Sequence, residues 1–260
     1  MDDTDRLLSC VKDRARGWMP LAVYRRLYES AATLGDGGTI VEIGTFRGAA
    51  TIALALGGGN ARVLTADLLR DGVGLEGGDV GEKVAALEAM LAEFGVEDRV
   101  RFVHGDVEAL VAQADPRQIK LLLLDGGGRI ESDFAFLWDR LAPGAVIVID
   151  DIDGRVTVER DRKSARINQK HLLSKLLADI YVAAGMLIEE GRVESTGWYR
   201  KGEASPTPDE IRLMALPAYH RLIRVEIRER EFGLPRSYAR RIAARAPWLR
   251  RAFRRLRPAR

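Results

Sequence analysis

The chain has 260 residues, 47% of them hydrophobic and 30% charged, which is enough for one large α/β domain with additions or for two small ones. One cysteine, Cys10, excludes an internal disulfide framework and fits a reducing compartment. No apolar run approaches the roughly 20 residues of a membrane span, and the start MDDTDRLLSC lacks the order of a signal peptide, so a cytoplasmic protein with a net charge of +3 is expected.

Residues 1–35 predict a helical, amphipathic cap, with Leu21, Tyr24, Leu27, Tyr28 and Ala31 at helix spacing. Trp18, Met19 and Tyr24 lead directly into the stretch that organises the chain, TIVEIGTFRGAATIALA at residues 39–55. That order reads as strand, glycine-bearing loop and helix. Glu42, Gly44 and Gly48 give an acidic-x-Gly-x-x-x-Gly spacing. The glycines let the backbone turn sharply and let a ligand approach its amides, and the helix start adds unpaired N–H groups to the same crevice. The dehydrogenase fingerprint has a different glycine spacing.

The run RVLTADLLR closes on Asp67 about twenty residues past that turn, where a carboxylate at the end of a second parallel strand can take both ribose hydroxyls of a nucleoside. Residues 70–81 read as a Gly- and Asp-rich loop. GEKVAALEAMLAEFG predicts a helix capped by Gly95, and VRFVHGDVEAL a strand running into Gly105 and Asp106. Asp106 is placed to cap the next helix, and His104 is expected to be packed within its strand. KLLLLDGG reads as a central parallel strand ending at Asp125. A helix carrying Phe134, Leu137, Trp138 and Leu141 on one face follows, then a turn at residues 142–144 and the strand AVIVIDDID. Strands alternating with helices over this length predict a doubly wound, mostly parallel sheet whose ligands sit at the carboxyl ends of its strands.

The glycine spacing with its leading Glu42 resembles motif I of the class I S-adenosylmethionine-dependent methyltransferases, and the resemblance extends over residues 39–151. LLLLDGGGRIESDFAFLWDRLAPGAVIVIDDID is similar to the bacterial small-molecule O-methyltransferase group related to the catechol and caffeoyl-CoA enzymes, with Asp125-Gly126, Asp133-Phe134, Pro143-Gly144 and Asp150 matching its pattern. The family His and Tyr are replaced by Gly128 and Ile130. The resemblance implies a Rossmann-like methyltransferase sheet with an antiparallel final strand, and S-adenosylmethionine as cofactor. It implies cofactor contacts from Glu42, Gly44, Thr45, Phe46, Gly48, Asp67, Leu68, Asp106, Val107 and Asp125, with Asp106 meeting the adenine amine. The family often forms dimers or larger assemblies, so a homo-oligomer is among the expectations.

Asp125, Asp150 and Asp151 end two adjacent strands at one rim, where three hard oxygen donors can converge on Mg²⁺ and leave positions for two substrate oxygens. Catechol-type enzymes hold their metal at comparable positions. Asp151 as a turn cap and Asp125 as a metal-free cofactor contact are the alternatives. The catechol-type lysine is absent, with Gly128 and Arg129 in its place. Arg129 can anchor an anion but cannot take a proton. Lys163 and His171, in the polar segment GRVTVERDRKSARINQKH expected to cover the site, are the remaining candidates for a base. Arg155, Arg160, Arg162 and Arg166 in that segment suit either an anionic acceptor or an internally paired loop.

From Lys170 the apolar set Leu172, Leu173, Leu176, Leu177, Ile180 and Tyr181 predicts a helix. MLIEE and STGWYRK then predict an antiparallel pair turning at Gly191, and Pro206 and Pro208 mark the end of the core. The expected organisation is a cap at 1–35, a methyltransferase domain at 36–203 and a basic extension at 204–260. Residues 221–260 hold 14 Arg against 3 Glu. Ile223, Val225 and Ile227 alternate as in a strand, while Leu222, Ile223 and Ile227 also suit a helix. The extension fits a docking or dimerisation arm, an anionic membrane surface or, less well, nucleic acid.

The expected function is methyl transfer to a hydroxyl of a small molecule, such as a sugar or natural-product intermediate, with a divalent metal. The alternatives are a metal-independent O- or N-methyltransferase, and a degenerate methyltransferase-like module acting through its basic tail.

Overall fold

The computed structural model describes residues 2–35, 37–70, 78–160 and 165–229. Helices α1 (Asp3–Arg14) and α2 (Leu21–Ala32) precede an alternation of β1 (Thr39–Ile43), α3 (Ala49–Gly57), β2 (Arg62–Asp67), α4 (Val80–Glu93), β3 (Val100–His104), α5 (Val107–Ala114), β4 (Ile119–Leu124), α6 (Ile130–Leu137) and β5 (Leu141–Ile149). A small hairpin, β6 (Thr157–Arg160) and β7 (Ala165–Asn168), leads into α7 (Lys170–Ala183), β8 (Leu187–Val193), β9 (Thr196–Lys201) and α8 (Pro208–Met214).

The seven-stranded sheet has the order β3-β2-β1-β4-β5-β9-β8. Strands β1 to β5 pair in parallel, and β9 runs antiparallel to both β5 and β8. This is the doubly wound sheet that the sequence predicts. The order in which strands are added switches sides between β1 and β4, so a crevice opens at their carboxyl ends.

Two apolar cores cover the two faces. One gathers side chains of α1, α2, α3 and α4 over Ile40, Val63, Leu121, Leu123 and Val148; the other gathers α5, α6, α7 and α8 over Val41, Leu122, Leu124 and Ile147. Leu121, Leu122 and Leu123 are fully buried, which only a central strand covered on both sides allows. Burial of each contributes about 1.5–3 kcal/mol.

Four local expectations are corrected. The β8–β9 hairpin turns at residues 194–195, with Glu194 at a φ of 52°, whereas Gly191 is a register irregularity inside β8. Residues 142–144 belong to β5, where the pairing register with β4 shifts. His104 is exposed, because β3 is the edge strand, and its Nε2 faces the Leu68 carbonyl oxygen at 3.1 Å. The polar segment before α7 holds a β-hairpin, because Val158 and Ile167 pair across it. Residues 216–229 are helical, which settles the period of the described part of the extension. Lys163, Arg162 and the tail from residue 230 lie outside the described residues.

Candidate active site

The loop between β1 and α3 lies at the point where the sheet order reverses. Gly44 has a φ of 103°, and a Cβ there would stand 2.6 Å from the Asp125 carbonyl oxygen, so only glycine fits between the two strand ends. Its amide is held by Ala66 at 2.8 Å, and Asp125 donates its own amide to Ile43 at 2.9 Å. The ends of β1, β2 and β4 are thereby locked together. Gly48, at a φ of 85°, caps α3 in the left-handed region.

Glu42 is fully buried under this loop. Its Oε2 accepts from Thr51 Oγ1 at 2.5 Å and Thr65 Oγ1 at 2.6 Å. Thr65 spends its only hydroxyl proton there, so Thr45 Oγ1 donates to Thr65 Oγ1 at 2.5 Å. The other oxygen, Oε1, is buried with no hydrogen-bond partner. Burial raises the Glu42 carboxyl to about 7 against the lowering effect of both threonines, with Asp67 adding to the rise. A buried acceptor in want of a donor is chemically suited to the ammonium of an amino-acid group.

Asp67 sits across the loop mouth. Its Oδ2 accepts from the amide of Phe46 at 2.7 Å and its Oδ1 from the amide of Leu69 at 2.7 Å. Each oxygen keeps a lone pair for a hydroxyl donor. Phe46 adopts a φ of 52° to make its contact, and its ring meets Trp18 with centroids 5.0 Å apart. Trp18 is 66% exposed, so an indole from the segment between α1 and α2 stands at the opening. Tyr24 and Met19 are buried beneath it. Leu68 is exposed beyond Asp67. Asp106 caps α5 by accepting from the amides of Glu108 and Ala109, both at 3.1 Å and both through Oδ1, and Val107 is buried behind it.

Asp125, Asp150 and Asp151 come together at the ends of β4 and β5, and one carboxylate oxygen from each lies within 4.8 Å of the others. Asp150 is aimed by Thr196 Oγ1 at 2.6 Å, from the start of β9, and by Ser195 Oγ at 3.4 Å, from the turn before it. Asp151 is held at a φ of 59°. Burial pushes the Asp125 carboxyl well above the usual range; Lys170 opposes the rise, and Asp150, Asp151 and Glu42 add to it.

One member of this cluster is not on the sequence-derived set. Lys170, the first residue of α7, places Nζ 2.8 Å from Asp151 Oδ2 and 3.4 Å from Asp125 Oδ1. Burial pulls its ammonium down, but Asp125 and Asp151 outweigh burial and leave it raised. Gly128, at the position where the group this sequence resembles has histidine, makes room for this residue: a Cβ there would lie 3.1 Å from Lys170 Cγ. His171 bridges two carboxylates, with Nε2 2.9 Å from Asp151 Oδ1 and Nδ1 2.8 Å from Asp153 Oδ1. Arg155 pairs with Asp153 at 3.4 Å. Arg129 lies 3.6 Å from buried Glu131, on the α6 side of the site.

The donor set fits a hard divalent cation. Among the described residues three carboxylates converge on one rim, contacted by Lys170 and His171, and all three offer oxygen donors. The nucleoside side fits as well, through the unpartnered Glu42 oxygen and the cradle that a Cβ on Gly44 would fill.

A doubly wound sheet with a glycine loop at its switch point and carboxylates along one rim is an α/β fold of the class I methyltransferase type. Residues 41–152 match the family model described as a methyltransferase domain. The chain therefore contains a stretch, from β1 to just past β5, that matches a methyltransferase domain. Among solved structures it is similar to cofactor-bound Rv0187 from MTB, with a TM-score of 0.55 and 20% identity over 79% of this chain and 92% of the other. It is similar to the O-methyltransferase from Bacillus cereus in complex with SAH, with a TM-score of 0.53 and 16% identity over 77% and 92%. It is also similar to the O-methyltransferase TomG from Streptomyces achromogenes, involved in tomaymycin synthesis and complexed with SAM, with a TM-score of 0.52 and 17% identity over 77% and 88%. No curated protein matches the sequence. No helix among the described residues is long and apolar enough to cross a membrane.

Proposed function

We propose that the chain transfers the methyl group of S-adenosylmethionine to a hydroxyl oxygen of a small molecule, with a divalent cation held by Asp125, Asp150 and Asp151. The observation that carries this reading is the meeting of these three carboxylates beside the loop formed by Glu42 and Gly44, on the rim where Asp67 ends β2. Glu42 and the loop amides receive the amino-acid end of the cofactor, Asp67 takes the ribose hydroxyls, and the Asp106 oxygen left over from capping α5 meets the exocyclic amine of adenine. Bound Mg²⁺ would lower the pKa of the acceptor hydroxyl and fix its oxygen.

The chain's own residues supply orientation. The hydroxyl proton, made acidic by the cation, would pass to solvent at the rim. As the new oxygen–carbon bond forms, the sulfur–carbon bond breaks and its electron pair returns to sulfur, leaving a neutral thioether. Lys170 and His171 hold Asp151 in place on the rim. The test is release of S-adenosylhomocysteine with a panel of catechols and glycosides, before and after dialysis against EDTA. Turnover that falls on chelation and returns with Mg²⁺ supports the reading, and turnover on amines alone overturns it.

A second reading has its own observation. The Lys170 ammonium already lies against Asp125 and Asp151, as a resident cation would. Full activity after chelation favours a metal-independent transferase in which this lysine orients the acceptor oxygen.

A further inference from the structure

Residues 208–229 run beside α6 as two helical segments, α8 and residues 216–229. One side of them is docked. Ile211, Ala215 and Ala218 are buried, Leu222 packs on the same core, and Tyr219 donates its hydroxyl to Glu131 Oε1 at 2.5 Å. The other side is also apolar, but it faces solvent: Leu213 is 61% exposed, Leu216 57%, Ile223 56% and Ile227 49%. At about 100° per residue these four positions fall in one sector roughly opposite the docked one. A surface helix needs one apolar stripe for its own fold, and a second, contiguous one marks an interaction surface.

Charge identifies the partner. Arg221, Arg224 and Arg228 are exposed along the borders of this stripe, Arg212 there is paired with Asp209 at 3.1 Å, and a depression lined by Leu216, Pro217, His220, Arg221 and Arg224 sets guanidinium groups beside aliphatic side chains. The sequence from residue 221 onward carries 14 Arg against 3 Glu, with Ile242, Trp248, Leu249, Phe253 and Leu256 among them. A second copy of this chain, or the chain's own tail, would bring like charges together on this face. Nucleic acid would use the arginines but has no place for four aliphatic side chains. An anionic lipid surface satisfies both, because the aliphatic stripe enters the acyl boundary while the arginines meet the phosphates. We propose that the face formed by Leu213, Leu216, Ile223 and Ile227 is a docking surface for anionic membrane lipid.

Co-sedimentation of the full chain with phosphatidylglycerol–phosphatidylcholine vesicles, against vesicles of phosphatidylcholine alone, tests this at about 0.1 M salt. Wild type is expected to bind the anionic vesicles at least about tenfold more tightly than the neutral ones. Leu216→Asp/Ile223→Asp/Ile227→Asp is expected to lose at least about tenfold of that binding, with S-adenosylhomocysteine affinity unchanged as the check on folding. The milder Ile223→Gln/Ile227→Gln serves if the triple variant does not fold. Failure of wild type to bind anionic vesicles overturns the proposal. So does vesicle binding that the aspartates leave untouched, and so does a dimer or an oligonucleotide complex that the aspartates abolish in place of a lipid one.

Discussion

Lys170 Nζ lies 2.8 Å from Asp151 Oδ2, and the same ammonium is 3.4 Å from Asp125 Oδ1. A residue at the start of α7 thus ties together carboxylates from the ends of β4 and β5. Without it, three neighbouring carboxylates would repel one another in a partly buried setting. Lys170→Met is expected to lower the stability of the metal-free chain by about 2 kcal/mol. It is also expected to tighten Mn²⁺ binding, since a competing cation has gone. Thermal melts with and without Mn²⁺ check both: the variant should melt below wild type alone and recover more than wild type when Mn²⁺ is added. A variant that binds Mn²⁺ more weakly would show that Lys170 organises the donors without competing with the ion.

Glu42 gives a pH dependence with a defined sign. Its carboxyl, ordinarily near 4.5, is raised to about 7 by burial. A folded state that holds a proton more firmly than the unfolded chain gains stability from it at low pH, and loses that gain as pH rises through about 7. The cofactor-free chain should therefore lose stability between about pH 4.5 and 7 on account of this group. Glu42→Gln should remove that component and be more stable than wild type at pH 8 by about 1–3 kcal/mol. Cofactor affinity runs the other way, because an ammonium needs the ionised form. Calorimetric titration with S-adenosylhomocysteine should show affinity rising up to about tenfold per pH unit below 7 in wild type, and flat and weaker in Glu42→Gln. A pH-independent wild-type affinity would remove Glu42 from the ammonium site.

Asp67 joins β2 to the glycine loop through the amides of Phe46 and Leu69. Charge-assisted bonds of this kind are worth about 1.5–3 kcal/mol each. Asp67→Ala should weaken S-adenosylhomocysteine binding by about a hundredfold, and Asp67→Asn by about tenfold, since it retains an acceptor for one amide. Equal losses in both variants would mean that the charge matters and the loop geometry does not.

Much of the site was legible because its signals are local. Glu42, Gly44 and Gly48 lie within one turn, and Asp67 follows at the distance one β-α-β unit requires. The acidic trio is readable because β4 and β5 end in the apolar runs at residues 121–124 and 145–149 and stop at aspartates. Lys170 was hidden by distance along the chain: its partner Asp125 is 45 residues away, and the approach depends on Gly128 leaving room. The hairpin β6–β7 alternates charged and apolar residues and reads equally well as a solvated loop. In the extension, Ile223 and Ile227 satisfy both a period of two and a helical period, so the pattern alone does not choose. The choice is made by packing on α6 through Ile211, Ala215, Ala218 and the Tyr219–Glu131 bond, contacts made with residues far off in sequence.

The central claim is that a cation held by Asp125, Asp150 and Asp151 stands next to the transferable methyl group. Carbon relaxation of S-adenosylmethionine labelled at its methyl, bound to the full chain and titrated with Mn²⁺, measures that proximity. The account predicts strong paramagnetic relaxation of the methyl carbon that disappears in Asp150→Asn while the cofactor stays bound. A methyl signal unaffected by saturating Mn²⁺ would contradict it.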